Sequence, residues 1–146
     1  MSKRKIGMWM YTNSGGDKIA KKMIEQLAER DIKTINNIRL HDCVSENGHI
    51  LYNDLKVDKL DLFFSYNAGE QTQYQTYLYQ ALDRLIPMIN SYHSFALSED
   101  KFHTSLVLRN KGVKTADYKL CHRDNSEALK KIIKKWDKMV YKPTDG

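Results

Sequence analysis

Apolar and polar positions follow an ordered alternation along the front part of the chain. Residues 5–11 form a short apolar run, and the turn-forming residues after it predict a strand leading into a helix. In residues 19–28 the apolar side chains recur at helical spacing along one stripe, with charged side chains outside it. The β-branched stretch 32–40 predicts a second strand, which completes a β-α-β unit of the kind that builds parallel sheets.

The alternation returns after a polar interval. Residues 41–59 break into short apolar pieces around Asn47-Gly48, which predicts a small hairpin or another excursion from the sheet. Residues 60–66 predict a third, buried strand that leads through a polar loop into a second helix, and residues 88–90 predict a fourth strand. The expected fold class is therefore α/β, an open and mostly parallel sheet with flanking helices on both faces.

The pattern changes in the last third of the chain. Residues 98–101 supply a helix cap, and the helix that follows ends near Gly112. Three further elements are predicted, a strand region, a helix and a final strand, at residues 113–121, 125–136 and 138–141. We place a domain boundary within residues 91–97, which divides the chain into 1–93 and 94–146.

The composition of the chain is that of a folded globular protein. The chain has 146 residues, 41% hydrophobic and 29% charged, so it can bury one core and is neither disordered nor membrane-spanning. Its first apolar run is far shorter than the ~20 residues of a membrane helix. Cys43 and Cys121 lack CxxC spacing and no signal peptide is recognised, which favours free thiols and a reduced, cytoplasmic setting.

The net charge of +6 suggests an anionic partner, but only weakly. The basic cluster of the last predicted helix fits a solvated face: Lys130, Lys131, Lys134 and Lys135. Tyr74 and Tyr77 fall on the apolar stripe of the second helix, so we expect core packing rather than stacking on bases. Nucleic-acid binding is therefore disfavoured. The five histidines lack HxxxH or HExxH spacing, so no zinc site is expected.

Two polar loops follow predicted strands, at the position where open α/β sheets bind small molecules. Asn13 and Ser14 follow the first strand, and Asn67, Glu70 and Gln71 follow the third. These five side chains are the candidate substrate contacts. For the first loop, a plain turn and helix cap is an equal alternative.

Three segments in order resemble the ATP-grasp superfamily, in particular its RimK-type and glutathione-synthetase-like members. They are Pro87-Met88-Ile89-Asn90, the stretch 98–104 with Asp100-Lys101, and the ending Val140-Tyr141-Lys142-Pro143. In that family a pre-ATP-grasp α/β domain ends at a strand reading roughly Pro-x-Ile-Asn, before a helix that starts with Asp-Lys and a later strand that ends in Lys-Pro. The resemblance implies that residues 1–93 are the pre-ATP-grasp domain and 94–146 the incomplete start of the α+β ATP-grasp nucleotide-binding subdomain.

The resemblance also implies an activity. The intact protein would be an ATP-dependent ligase that joins an amino acid or peptide carboxylate to an amine through an acylphosphate. Lys101 and Lys142 would reach the ATP phosphates, and Gly146 would belong to the glycine loop that closes over them. The family's magnesium ligands have no counterpart in this sequence, so ATP and Mg²⁺ are expected of the intact enzyme, and this chain alone is expected to be inactive.

Two interpretations of the chain stay open. The favoured one is an amino-terminal fragment of a ligase. The alternative is a non-catalytic α/β module that binds a small molecule or a protein through the loops after the first and third strands. The sequence does not decide between a monomer and a homo-oligomer.

Overall fold

The computed structural model describes residues 4–10, 14–66 and 71–143, and for Ser14 the backbone alone. The chain folds into two units, Met1–Phe95 and Ala96–Gly146. The boundary predicted from the sequence lies two residues earlier. The identification of these units with the domains of a ligase stays a prediction.

Strands occur only in the first unit, as far as the structure describes the chain. They are β1 Lys5–Met10, β2 Lys33–Ile35, β3 Val44–Glu46, β4 His49–Tyr52, β5 Leu55–Lys56, β6 Leu62–Tyr66 and β7 Met88–Ile89. The helices are α1 Ser14–Ala28, α2 Gln73–Leu85, α3 Tyr92–Glu99, α4 Lys101–Asn110 and α5 Ser126–Lys135. No helix in the described part of the chain is both long and apolar enough to cross a membrane.

The first unit is built on a parallel sheet with the order β2-β1-β6-β7. Alternate residues of β1 face opposite sides, as the period of a strand requires. Met8 and Met10 pack with Ala20 of α1 on one side, whereas Trp9 packs with Leu78 of α2 on the other. The predicted α/β fold with helices on both faces is therefore confirmed.

Close packing around β1 explains why residue 7 is a glycine. A Cβ atom at Gly7 would lie 2.7 Å from a methyl carbon of Leu60 and 2.9 Å from the ring of Phe63. Real side chains do not approach so closely, so any larger residue would force the core apart. Gly7 thus lets these two side chains fill the space against the central strand.

The second strand is shorter than expected. The prediction of a strand over residues 32–40 is wrong beyond Ile35, because Asn37 adopts a left-handed conformation with φ 63°. Ile38 and Leu40, beyond this turn, are fully buried in the core on the α2 side. Their β-branched and apolar character reflects burial rather than pairing.

The predicted hairpin is confirmed as an antiparallel sheet of β3, β4 and β5. Its first turn uses Asn47 and Gly48, with φ values of 50° and 80°. Two consecutive positive φ values match the twist of a tight hairpin, which is why Asn-Gly suits this place.

The second unit departs further from expectation. The predicted strands at 113–121 and 138–141 are wrong, since neither segment pairs with another in the described residues. Val140 and Tyr141 are 79% and 81% exposed. A strand needs a neighbour for its backbone N–H and C=O groups, and no described strand pairs with these segments. Helix α3 was also not predicted, because its residues were assigned to the domain boundary.

Candidate functional site

The carboxyl ends of β1 and β6 lie side by side, with Met10 in register with Tyr66. From this pair β2 lies outward on one side and β7 on the other, so the strand order reverses between β1 and β6. Such a switch point is where open α/β sheets bind ligands, because the loops that follow the two strands diverge there.

The loop residues predicted to contact substrate fall at this switch point in sequence. Asn13, Asn67 and Glu70 lie outside the described residues, as does the side chain of Ser14, whose backbone opens α1. Gln71 is described and half-buried, immediately before α2. Their role in substrate binding stays a prediction.

Helix α2 follows the second of these loops, and its first turn is capped by side chains. The Thr72 hydroxyl accepts a hydrogen bond from the backbone N–H of Gln75 at 3.2 Å. The Gln75 side-chain oxygen accepts in return from the backbone N–H of Thr72 at 3.0 Å. This reciprocal cap satisfies two N–H groups that a helix start leaves unpaired, so it fixes where the loop ends.

A hydrogen-bonded cluster that the sequence did not reveal lies at the ends of β6 and β7. The Tyr79 hydroxyl donates to the backbone oxygen of Asn90 at 3.0 Å, and the Ser65 side chain also hydrogen-bonds to Tyr79. The backbone N–H and the side-chain Nδ2 of Asn90 both donate to the backbone oxygen of Ser65, at 3.2 and 3.1 Å. The Ile89–Asn90 peptide bond is cis.

Burial dominates the electrostatics of this cluster. The pKa of Tyr79 is raised, first by burial and also by the nearby Asp83 carboxylate, while the Ser65 hydrogen bond opposes the rise. The phenol is therefore neutral and acts as a hydrogen-bond donor. Its ring packs edge-on against Trp9 and Tyr92, at centroid distances of 6.3 and 5.6 Å. A serine inside the apolar run 60–66 was the sequence signal for this cluster.

The neighbouring tyrosines of α2 correct another expectation. The prediction that Tyr74 and Tyr77 pack in the core is wrong, since these residues are 46% and 59% exposed. The Tyr74 hydroxyl donates to the backbone oxygen of Cys43 at 2.6 Å, and Tyr77 accepts from Gln73. Because tyrosine has an apolar ring and a polar tip, it can lie at the rim of a helix stripe whose centre is buried.

In the second unit the predicted Asp-Lys helix start is present at α4. Asp100 caps the helix, since its Oδ1 accepts from the backbone N–H of His103 at 2.8 Å and its Oδ2 lies 2.7 Å from His103 Nδ1. The pKa of Asp100 is lowered, chiefly by the backbone hydrogen bond of His103. Lys101 is the first residue of α4 and is half-buried.

Lys142 and Gly146 are the other two residues predicted to contact the phosphates. Lys142 is exposed on an extended segment after α5, and Gly146 lies outside the described residues. The residues 96–146 carry 12 Lys and Arg against 7 Asp and Glu, whereas residues 1–95 carry 12 against 11. Nearly all of the net positive charge therefore belongs to the second unit.

Asp58 and Cys43 are two further buried groups, and their surroundings explain their pKa values. Asp58 accepts from the backbone N–H of Ile50 at 2.8 Å and lies 2.9 Å from His49 Nδ1. Burial would raise the pKa of Asp58, but these hydrogen bonds outweigh it and the pKa is lowered. Burial, with the charge of Asp42, raises the pKa of the Cys43 thiol to about 12, so this thiol is not a nucleophile at neutral pH. Both cysteines are free thiols.

The described residues bring together no cluster of metal ligands. Across residues 4–10, 14–66 and 71–143, no group of three or more His, Cys, Asp or Glu side chains is placed to hold a metal. Magnesium is held by oxygen ligands in near-octahedral geometry. No chemical step is therefore assigned to a metal held by the described residues.

Comparison with models of known protein families gave no match, and comparison with curated proteins gave none either. The resemblance to ATP-grasp ligases accordingly depends on the ordered segments of the sequence.

Proposed function

We propose that the chain is the amino-terminal part of a cytoplasmic ATP-dependent carboxylate–amine ligase of the ATP-grasp type. One observation carries the proposal: the edge strand with Pro87-Met88-Ile89-Asn90 closes a parallel sheet and is followed by the Asp100-capped helix that begins at Lys101. This is the order in which the corresponding segments occur in ATP-grasp ligases. The substrates would be ATP, an amino acid or peptide carboxylate, and an amine.

Lys101 and Lys142 have the chemistry for the phosphates of ATP. An ammonium group on a flexible stem suits a polyphosphate, because it can approach any of several negatively charged oxygens. The net positive charge of residues 96–146 would also attract such an anion. These lysines would neutralise the charge of the phosphoryl group as it is transferred.

The loops after β1 and β6 would hold the other substrates. They follow adjacent carboxyl ends of a parallel sheet, where Met10 and Tyr66 are in register. This geometry also supports the second candidate function, a non-catalytic module that binds a small molecule or a protein at the same place. The two candidates differ in whether ATP is consumed.

The decisive experiment uses the longest protein that the gene encodes. With ATP, Mg²⁺ and mixed amino acids and peptides it should release ADP, and added hydroxylamine should trap the acylphosphate as a hydroxamate. Lys101→Ala should lower the rate about 100-fold, because a charge-neutralising group is lost. Lys111→Ala is the matched control, since Lys111 is an exposed lysine at the other end of α4, and it should leave the rate unchanged.

ADP release that is absent with every substrate mixture would refute the ligase and favour the binding module. A rate unaffected by Lys101→Ala would refute the role given to that lysine. A coding sequence that continues past residue 146 into a glycine-rich loop and acidic metal ligands would support the ligase independently of any assay.

A further inference from the structure

The cluster of Ser65, Tyr79 and Asn90 is unusual for the layer in which it lies. Ser65 and Tyr79 are each 2% exposed, between the sheet and α2. Alanine and phenylalanine would fill much the same space without burying a hydroxyl group. Because a buried hydroxyl is unfavourable unless it is hydrogen-bonded, these two groups are explained by the bonds that they make. Those bonds lead to Asn90.

Asn90 itself is an exposed residue held by three hydrogen bonds. Its backbone N–H and its Nδ2 donate to the backbone oxygen of Ser65, and its own backbone oxygen accepts from Tyr79. An exposed asparagine ordinarily keeps its rotamer freedom in water, and holding it still costs conformational entropy. Two of the three bonds fix the backbone of Asn90, and the third, from Nδ2 to the Ser65 oxygen, sets the orientation of the side chain.

That orientation determines which atom is left for a ligand. The Ser65 carbonyl oxygen can only accept, so the amide nitrogen of Asn90 must face it. The remaining group is the side-chain oxygen Oδ1. Within residues 4–10, 14–66 and 71–143, no group donates a hydrogen bond to it. Asn90 directly follows β7 and therefore lies at the carboxyl end of the parallel strands, the end at which open α/β sheets bind ligands.

We infer that Asn90 Oδ1 contacts the amine substrate and accepts a hydrogen bond from its amino or ammonium group, with Ser65 and Tyr79 as positioning residues. The inference rests on the proposed function, which requires three substrates. The phosphates of ATP and the carboxylate present acceptor oxygens, which a carbonyl oxygen cannot bind directly. Only the amine presents a donor at its reacting group. The negative end of the amide dipole also favours a cation.

Steady-state kinetics of the intact protein test the assignment. Asn90→Ala should raise the KM for the amine about tenfold, the effect of one lost hydrogen bond, and leave the KM for ATP and for the carboxylate unchanged. Tyr79→Phe should change the same KM by a smaller factor, because the ring stays packed and Asn90 loses one of its three bonds. Tyr92→Phe is the matched control, since its ring also packs against Tyr79. It should leave all three constants unchanged.

A binding measurement makes the inference independent of turnover. In nuclear magnetic resonance spectra of the 146-residue chain, glycinamide should shift the Asn90 side-chain amide signals, and acetamide, which lacks the amine, should not. Tyr79→Phe should weaken the binding of glycinamide by several-fold. Its ring packing is retained, so this variant also serves if Asn90→Ala does not fold.

The outcomes separate the two proposals. Turnover with an amine KM unaffected by Asn90→Ala, or with a raised KM for ATP instead, would overturn the inference and leave the ligase standing. Glycinamide shifts without any turnover would refute the ligase and support an amine site at Asn90. No shift and no turnover would overturn both.

Discussion

The two units of the chain use similar apolar patterns with different results. In residues 1–95 the apolar side chains close two cores, one on each face of the parallel sheet. In residues 96–146 only Ile132 is buried among the described apolar residues, and Val113, Leu120 and Ile133 are about half exposed. An apolar pattern therefore predicts an element that can be buried, and whether it is buried depends on a partner to pack against.

The central strand shows what the second unit lacks. β1 has a strand on each edge and a helix on each face, so both its backbone groups and its side chains are satisfied. Residues 113–121 and 138–141 have no such neighbours in the described part of the chain. Six substitutions, taken below from the largest expected effect to the smallest, measure how large this difference is.

The largest effect is expected from a matched pair of leucines. Leu82→Ala, in the core between α2 and the sheet, should lower the free energy of unfolding by ~2–5 kcal/mol, because it leaves a cavity. Leu129→Ala in α5, where the side chain is 38% exposed, should cost less than ~1 kcal/mol. Urea unfolding followed by Trp9 fluorescence in a Trp136→Phe background measures the first cost, and hydrogen exchange of the backbone amides of α5 measures the second. Equal losses of stability would contradict the contrast between the units.

Two glycines give the next comparison. Gly7→Ala should cost ~1–3 kcal/mol through overpacking, because its Cβ would crowd Leu60 and Phe63. Gly112→Ala meets nothing within 4 Å but has φ +75°, so its cost of ~1 kcal/mol comes from the backbone alone. The shift in the Trp9 unfolding midpoint should appear for Gly7→Ala only. A Gly7→Ala protein as stable as the wild type would refute the crowding.

The buried Asp58 should make the hairpin region sensitive to acid. Asp58→Asn should lower stability by ~1–3 kcal/mol at pH 7, because the carboxylate loses its charge beside His49 and Lys59. The folded-state pKa of Asp58 is lowered, so its contribution is present above the unfolded value of about 4 and is lost as the pH falls through the folded value. Unfolding curves of the two proteins should thus converge in acid. A constant difference down to pH 3 would contradict this.

The smallest effect is expected at a helix cap of the second unit. Asp100→Ala should loosen the start of α4 and lower stability less than the three changes above, because the backbone N–H of His103 loses its acceptor. Hydrogen exchange should accelerate in the first turn of α4 and stay unchanged in α5, whose own cap is Asn125. Faster exchange throughout both helices would mean that the second unit unfolds as one body.

Much of the first unit could be predicted because local and global signals agree there. The apolar stripe of α1, the Asn47-Gly48 turn and the buried run of β6 each gave the right element. The length of β2 could not be predicted, because Ile38 is apolar for burial beyond a turn at Asn37. The two late strands failed because composition cannot supply a pairing partner.

The candidate site was less predictable than the fold. The sequence indicated the carboxyl ends of β1 and β6, and it named Lys101 from a resemblance. It did not reveal that Ser65 and Tyr79 converge on Asn90, because residues so far apart in sequence meet only through the packing of α2 on the sheet. Polar residues in apolar runs were the one local signal.

The pairing of β1 with β6 also has a consequence for synthesis. Met10 pairs with Tyr66, which the ribosome adds 56 residues later, and the edge strand β7 is synthesised after that. Until then the growing chain can form α1 and the hairpin, whose contacts are local, but it must keep an apolar strand open on one edge. We therefore expect the first unit to depend on the ribosome or on chaperones for protection of β1, and to close its sheet in one late step.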